Sequence, residues 1–238
     1  MNEATQELAP RLRVAATLAE KVALLRDAYH GRDCWLIATG PSATALDMDR
    51  VRERLKGELV VAIKQAYDLL PGMVDFHVVN PCNLKAYQYA DPAPVSVAVI
   101  WPPGSAEWDA RWDLSFRIPR CGYMKESVCW TKQFDRWTLD KTLDRPWGPG
   151  IMHEIGLYLP VHFGCKRILT LGFDLEPGVG KHFYADKAFP MTGDTVKTPV
   201  EATGAMLEWL RSLGIECYRI ATTVGSQLPM PTISLEAV

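Results

Sequence analysis

Hydrophobic positions recur along this chain in two alternating patterns, one near helical spacing and one as short unbroken runs. Residues 4–29 carry Leu8, Leu12, Val14, Leu18, Val22, Leu25 and Ala28 at near-helical spacing, and Pro10 is expected to divide the stretch in two. After Gly31 the run CWLIATG (34–40), bounded by glycine, predicts a buried strand. ALDMDRVRERL reads as a helix, LVVAI (59–63) as a second strand, DFHVVN (75–80) as a third and VSVAVIW (95–101) as a fourth. Residues 102–147 are rich in Trp and Pro and show no period that orders them. From Gly150 the pattern returns. A helix IMHEIGLYLPVHFG, with Pro160 predicting a kink or early end, leads into the strand RILTLGFD, a long polar loop, the helix VEATGAMLEWLRSLG and the strand IECYRI.

Strands alternating with helices predict an α/β fold: a Rossmann-like, mostly parallel sheet with helices on both faces. The expected division is an N-terminal helical extension (1–30) followed by a single α/β nucleotide-binding domain (31–238). The extension is expected either to pack on the domain or to mediate assembly, including as a homo-oligomer. Parallel sheets bind ligands beyond the carboxyl ends of their strands. Four polar segments meet that condition: Thr39–Ser42, Lys64–Gln65, Asn80–Asn83 and Asp174–Tyr184.

Composition narrows the ligand. Among 238 residues, 26 Lys and Arg face 28 Asp and Glu, a net charge of -2, so phosphate recognition must be local and not spread over a basic face. No apolar run approaches the roughly 20 residues that span a bilayer, and the start MNEATQELAPRLR lacks the features of a signal peptide. The 6 cysteines form no C-x-x-C pair, which argues against a zinc ribbon or redox motif and for a reducing cytoplasm.

The turn Thr39-Gly40-Pro41-Ser42 is neither a P-loop nor a G-x-G-x-x-G. Gly40 permits close approach to a ligand, and Ser42 is expected to cap the next helix, leaving amides for an anion. Lys64 suits a phosphate and Gln65 a base or sugar hydroxyl. Asn80 ends the third strand, while His77 lies inside it and reads as a satisfied core histidine. Gly148-Pro149-Gly150 offers a second backbone site for an anion. The segment after Gly172-Phe173-Asp174 reads as a lid loop, with Lys181, His182 and Tyr184 able to donate to phosphate or move a proton. Asp47-Met48-Asp49 has the look of a metal-binding D-x-D, but its position at a helix start assigns it to a solvated face, and no other group has metal-ligand spacing.

In order, I-A-T-G-P-S, Lys64-Gln65, V-N-P, G-P-G and G-C-K-R-I-L-T-L-G-F-D resemble the bacterial lipooligosaccharide sialyltransferases and motif-associated flagellin glycosyltransferases over most of residues 33–228. The resemblance implies a GT-A-like variant of the Rossmann-like fold and a nucleotide-sugar transferase. It implies a CMP-sugar-like donor as substrate, no metal and no permanently bound cofactor. It places Thr39, Gly40, Pro41 and Ser42 at the phosphate and sugar, and Gln65 and Asn80 at the donor. Gly148 and Gly150 fall beside the base or phosphate, and Asp174 under the nucleoside. The acceptor is left open among glycan, lipid, protein and modified nucleic acid.

The chain departs from the family in places. Lys64 replaces an asparagine, Pro149 a serine and Glu176 an aromatic, and the stretch MTGDTVKTPV lacks the family's late histidine. His182 is then the histidine available as base, with Tyr184 and Lys64 at the leaving phosphate. Two other readings compete. One is a magnesium-dependent pyrophosphokinase of the 6-hydroxymethylpterin type, for which Asn80 stands where an acidic residue is expected. The other is a non-catalytic nucleotide-binding or interaction protein, in which the Trp-rich segment is a partner surface or a carbohydrate-stacking platform; the plainer expectation for those tryptophans, and the favoured one, is a satellite core under irregular loops.

Overall fold

The structure is a computed structural model that describes residues 2–79, 93–100, 112–117, 150–176, 182–183 and 193–238. Asn80, Gly148, Lys181 and Tyr184 lie outside the described residues. The N-terminal stretch forms α1 (Glu3–Val14) and α2 (Leu18–Leu25). Pro10 does not divide it, because α1 runs through that position. The break falls at Ala15–Thr17, where Thr17 opens α2 with a capping box: its hydroxyl accepts from the Glu20 amide, and the Glu20 carboxylate accepts from the Thr17 amide.

Eight strands follow: β1 (Asp33–Ile37), β2 (Leu59–Ile63), β3 (Phe76–Val79), β4 (Val95–Ile100), β5 (Leu114–Arg117), β6 (Arg167–Leu171), β7 (Glu216–Ile220) and β8 (Thr232–Ile233). They form one sheet in the order β5-β4-β3-β2-β1-β6-β7-β8, and every pairing is parallel. The expected α/β fold is therefore present, with a sheet parallel throughout its described strands. β5 and β8 escape the hydrophobic pattern. One is four residues inside the Trp-rich segment, the other a pair of residues. Trp112, just before β5, packs on Val79 and Ala98 in a small satellite core.

Strand alternation divides the core into two layers. Cys34, Leu36, Leu59, Val61, Ile63, Phe76 and Val78 face α1, α2 and the helices flanking β6, in one cluster with Leu8, Leu12, Leu25, Phe163 and Met206. Trp35, Ile37, Val60, Ala62, Leu169 and Leu171 face the other way, onto Val51 of α3 (Met48–Arg54) and Leu55, which caps it. Parallel strands buried on both faces explain the near-continuous apolar runs read from the sequence.

The N-terminal helices pack on the sheet. The Asn2 amide donates to Asp75 at 2.8 Å, Arg13 pairs with Asp113 at 3.1 Å, and Lys21 Nζ donates to the Asp113 carbonyl at 2.6 Å. Asp47 caps α3 through the Asp49 amide, and Asp49 pairs with Arg52, so the D-x-D look-alike serves a helix start on the surface.

The helix after Gly150 starts as a π turn (Met152–Gly156), with the Leu157 amide reaching back to the Met152 carbonyl at 2.8 Å, and continues as α4 (Tyr158–His162). The irregularity thus sits upstream of Pro160. Proline has no amide to offer the Gly156 carbonyl, and the wider turn precedes it. α5 (Gly193–Ser212) begins before Val200, the start expected from the hydrophobic pattern.

Candidate functional site

The strand order reverses at β1. From there the chain moves outward through β2 to β5 on one side and returns through β6, β7 and β8 on the other. The carboxyl ends of β1 and β6 therefore border a topological switch point, where open α/β sheets bind ligands. The structure brings Thr39, Gly40, Ser42, Asp174 and His182 together there.

The turns after β1 and β6 are locked to each other. The Gly40 amide donates to the Gly172 carbonyl at 2.7 Å, and the Gly172 amide donates to Ser42 Oγ at 2.9 Å. The Ser42 amide donates to Asp174 Oδ2 at 2.8 Å. Glycine is required at two positions. A Cβ on Gly40 would lie 2.5 Å from Asp174 Oδ2, and one on Gly172, whose φ is +78°, would lie 2.2 Å from the Ala38 carbonyl oxygen.

This arrangement corrects two expectations. Ser42 does not cap a following helix: it sits inside a short 3-10 turn, Pro41–Thr44, and spends its hydroxyl on the Gly172 amide. The amides of Gly40 and Ser42 are not free for an anion, because a carbonyl and a carboxylate of the β6 turn take them. Pro41 has no amide to add.

Asp174 is buried, and burial raises its carboxyl above the usual range despite the opposing hydrogen bonds from Ser42 and the charge of Arg219. Its Oδ1 has no hydrogen bond among the described residues, and Arg219 Nη1 lies 4.0 Å away. Arg219 also donates to the Val224 carbonyl at 3.1 Å, and the Ser226 hydroxyl donates to the Asp174 carbonyl. The segment after β7 thus forms a second wall beside Asp174. Sequence reading missed it. The available signal was Arg219 itself, a charge on a strand between apolar neighbours, which needs a buried partner.

On the other side of the turn, His182 Nδ1 and Thr39 Oγ1 are 2.8 Å apart, and the Phe183 amide donates to the Thr39 carbonyl at 2.8 Å. His182 and Phe183 are therefore pinned to the end of β1, and Thr39 is buried.

Lys64 and Gln65 open a 3-10 helix (Lys64–Leu69) directly after β2. Lys64 has φ +52°, a left-handed conformation that costs a lysine energy. Its carbonyl accepts from His77 Nε2 at 2.9 Å, and the His77 ring stacks on Tyr67 with centroids 4.6 Å apart. His77 is the satisfied core histidine read from the sequence. Burial lowers its pKa to about 4, so the ring is neutral and donates. Gln65 Oε1 is buried without a hydrogen bond among the described residues.

Gly150 lies just before the π turn, its carbonyl accepting from the His153 amide at 2.9 Å. Buried His153 then meets Thr203 Oγ1 of α5 at 2.8 Å through Nε2, and its ring lies edge-on to Phe173, which precedes Asp174. Among the described residues, no group of three or more His, Cys, Asp or Glu is gathered to hold a metal, and no helix is long and apolar enough to cross a membrane.

No protein-family model matches the sequence, and no curated protein matches it either. Solved structures do. The Maf glycosyltransferase from Magnetospirillum magneticum AMB-1 superposes with a TM-score of 0.53 at 9% identity, over 88% of this chain and 34% of that one. This chain thus spans about a third of that protein's length. The sialyltransferase CstII from Campylobacter jejuni, solved with the substrate analogue cytidine-5'-monophosphate, aligns with a TM-score of 0.43 at 13% identity, over 83% of this chain and 86% of that one. The chain shares the Rossmann-like α/β fold of the Maf glycosyltransferase.

Proposed function

We propose that the chain is a glycosyltransferase that moves a sugar from a nucleotide-activated donor to an acceptor hydroxyl. The observation that carries the reading is the meeting of Thr39, Asp174 and His182 at the switch point of a sheet with a glycosyltransferase fold. The CMP-sugar-like, metal-independent character of the donor rests on the sequence blocks around Gly40, Gln65 and Asp174. A reducing cytoplasm suits the free core thiols Cys34, Cys165 and Cys217.

In this reading the acceptor oxygen attacks the anomeric carbon as the bond from that carbon to the phosphate oxygen breaks. The proton of the attacking hydroxyl passes to His182 Nε2. Thr39 sets the ring for that task by accepting the Nδ1 proton, which leaves the lone pair on Nε2. With the Gly40 and Ser42 amides committed to β6, the charge leaving with the phosphate falls to Lys64, outside the first turn, with Lys181 and Tyr184 as further donors. Asp174 Oδ1 and Gln65 Oε1, both buried acceptors lacking a hydrogen bond among the described residues, receive hydroxyl or amino groups of the nucleoside or sugar. Gly148, Gly150 and Asn80 complete the donor site.

A thermal-shift panel of CMP, CDP, UDP, GDP and ATP, each with and without magnesium, tests the reading. Stabilisation by CMP without metal is expected. Stabilisation by ATP only with magnesium would transfer the assignment to a pyrophosphokinase, and the absence of any shift would end the nucleotide reading.

A further inference from the structure

The geometry points to His77 as a positioning residue for the site, one that holds the strained Lys64 turn in place from inside the sheet; the part that concerns ligand binding rests on the proposed function. Lys64 is one of three non-glycine residues with positive φ among the described residues, and its φ is +52°. Asn and Asp enter that region most readily among residues with a side chain, whereas lysine gains nothing locally from it. Something in the surroundings must therefore impose it.

The surroundings are visible. The left-handed turn swings the Lys64 carbonyl toward β3, where His77 Nε2 meets it at 2.9 Å. His77 is fixed in turn. It is buried, it lies on β3 in register with Ala62 of β2, and its ring is sandwiched against Tyr67 at an interplanar angle of 21°. Tyr67 belongs to the same 3-10 helix that Lys64 begins. The helix is thus clamped at both its first residue and its fourth by one imidazole. The consequence is that Lys64 and Gln65 are presented at the carboxyl end of β2 by a ring buried inside the fold.

Two variants separate positioning from general support. His77→Gln keeps a nitrogen donor at similar reach, and His77→Leu fills space without one. Amide hydrogen exchange on the ligand-free protein reads the turn directly. Exchange over residues 64–69 is expected to rise about tenfold in His77→Leu and to return toward wild type in His77→Gln, the size of one lost buried hydrogen bond. Exchange over β1 and β6 is expected to stay unchanged. Binding of CMP, the probe, is expected to weaken about tenfold in His77→Leu and to recover in His77→Gln. Unchanged exchange over 64–69 overturns the proposal, and so does a uniform rise across all strands. Local loosening with unchanged CMP affinity overturns the link to binding. If the wild-type protein does not bind CMP while the local exchange pattern holds, the nucleotide reading fails and the positioning role of His77 stands.

Discussion

The Ser42 amide and the Asp174 carboxylate meet at 2.8 Å across the gap between β1 and β6, so the protein occupies with its own anion the amide where a ligand phosphate was expected. Gly40 is the residue that makes this possible, since a Cβ there would lie 2.5 Å from both Asp174 Oδ2 and the Gly172 carbonyl oxygen. Gly40→Ala is expected to cost about 1–3 kcal/mol, the range for forcing atoms into a filled core. Asp174→Ala is expected to cost a similar amount, about 1–3 kcal/mol, by stranding the buried Ser42 amide. Urea unfolding at neutral pH measures both. If Gly40→Ala unfolds at the wild-type midpoint, the interlock does not exist in solution.

The role given to His182 has a sharp consequence. His182→Ala should lower turnover by about 100-fold or more, the share general acid–base catalysis supplies. Thr39→Val, which removes the hydroxyl beside Nδ1, should lower it less and shift the pH profile, because the ring loses the partner that selects its tautomer. Turnover kinetics across pH with a CMP-sugar donor would decide, and near-normal activity in His182→Ala removes it from the mechanism.

Much of this architecture was legible in the sequence, for a physical reason. Strands buried on both faces must be apolar throughout, and LVVAI and RILTL announce themselves. So do the polar residues that follow them, since core packing has no use for Thr39, Lys64 or Asp174. What was not legible is where backbone donors go. Ser42 has the composition of a helix cap, and only the register of β1 against β6 shows that its hydroxyl is spent on Gly172. The left-handed turn at Lys64 is equally silent, because lysine carries no preference for it. Arg219 was overlooked because its partner Asp174 is distant in sequence, joined to it only by the pairing of β6 with β7.

At the amino ends of the strands, Asp75, just before β3, accepts from the amides of Asn2 at 2.8 Å and Val60 at 2.9 Å, fastening the start of α1 to β2. Burial raises its carboxyl above the ordinary value of 3.8, with those hydrogen bonds opposing. The folded state therefore holds this proton more tightly than the unfolded chain. The resulting stability is fully present below 3.8 and is lost as pH rises through the higher folded value. Asp75→Asn accepts from one amide and presents its NH2 to the other, so it should be less stable at neutral pH by about 1–3 kcal/mol. It should also lose this share of the slope above pH 3.8, a share that Asp174 continues to supply in the same direction. Chemical denaturation at several pH values from about 3.5 to 7, the span of the carboxyl range, compares the two proteins. Identical slopes in both would take Asp75 out of the acid response.

His77 carries the opposite sign. Its pKa falls from 6.5 to about 4 because burial disfavours the imidazolium, and the Lys64 carbonyl only partly offsets this. Between those values the unfolded chain takes up a proton that the folded protein refuses. The stability is therefore present above 6.5 and is lost as pH falls toward 4, by up to about 3 kcal/mol at roughly 1.36 kcal/mol per pKa unit. His77→Gln keeps a donor for the Lys64 carbonyl and cannot titrate. Its stability should run flatter than wild type across that window, so that the two curves converge, or cross, as the solution is acidified. A wild-type curve that tracks the variant from pH 6.5 to 4 would show that His77 is not held neutral in the folded protein.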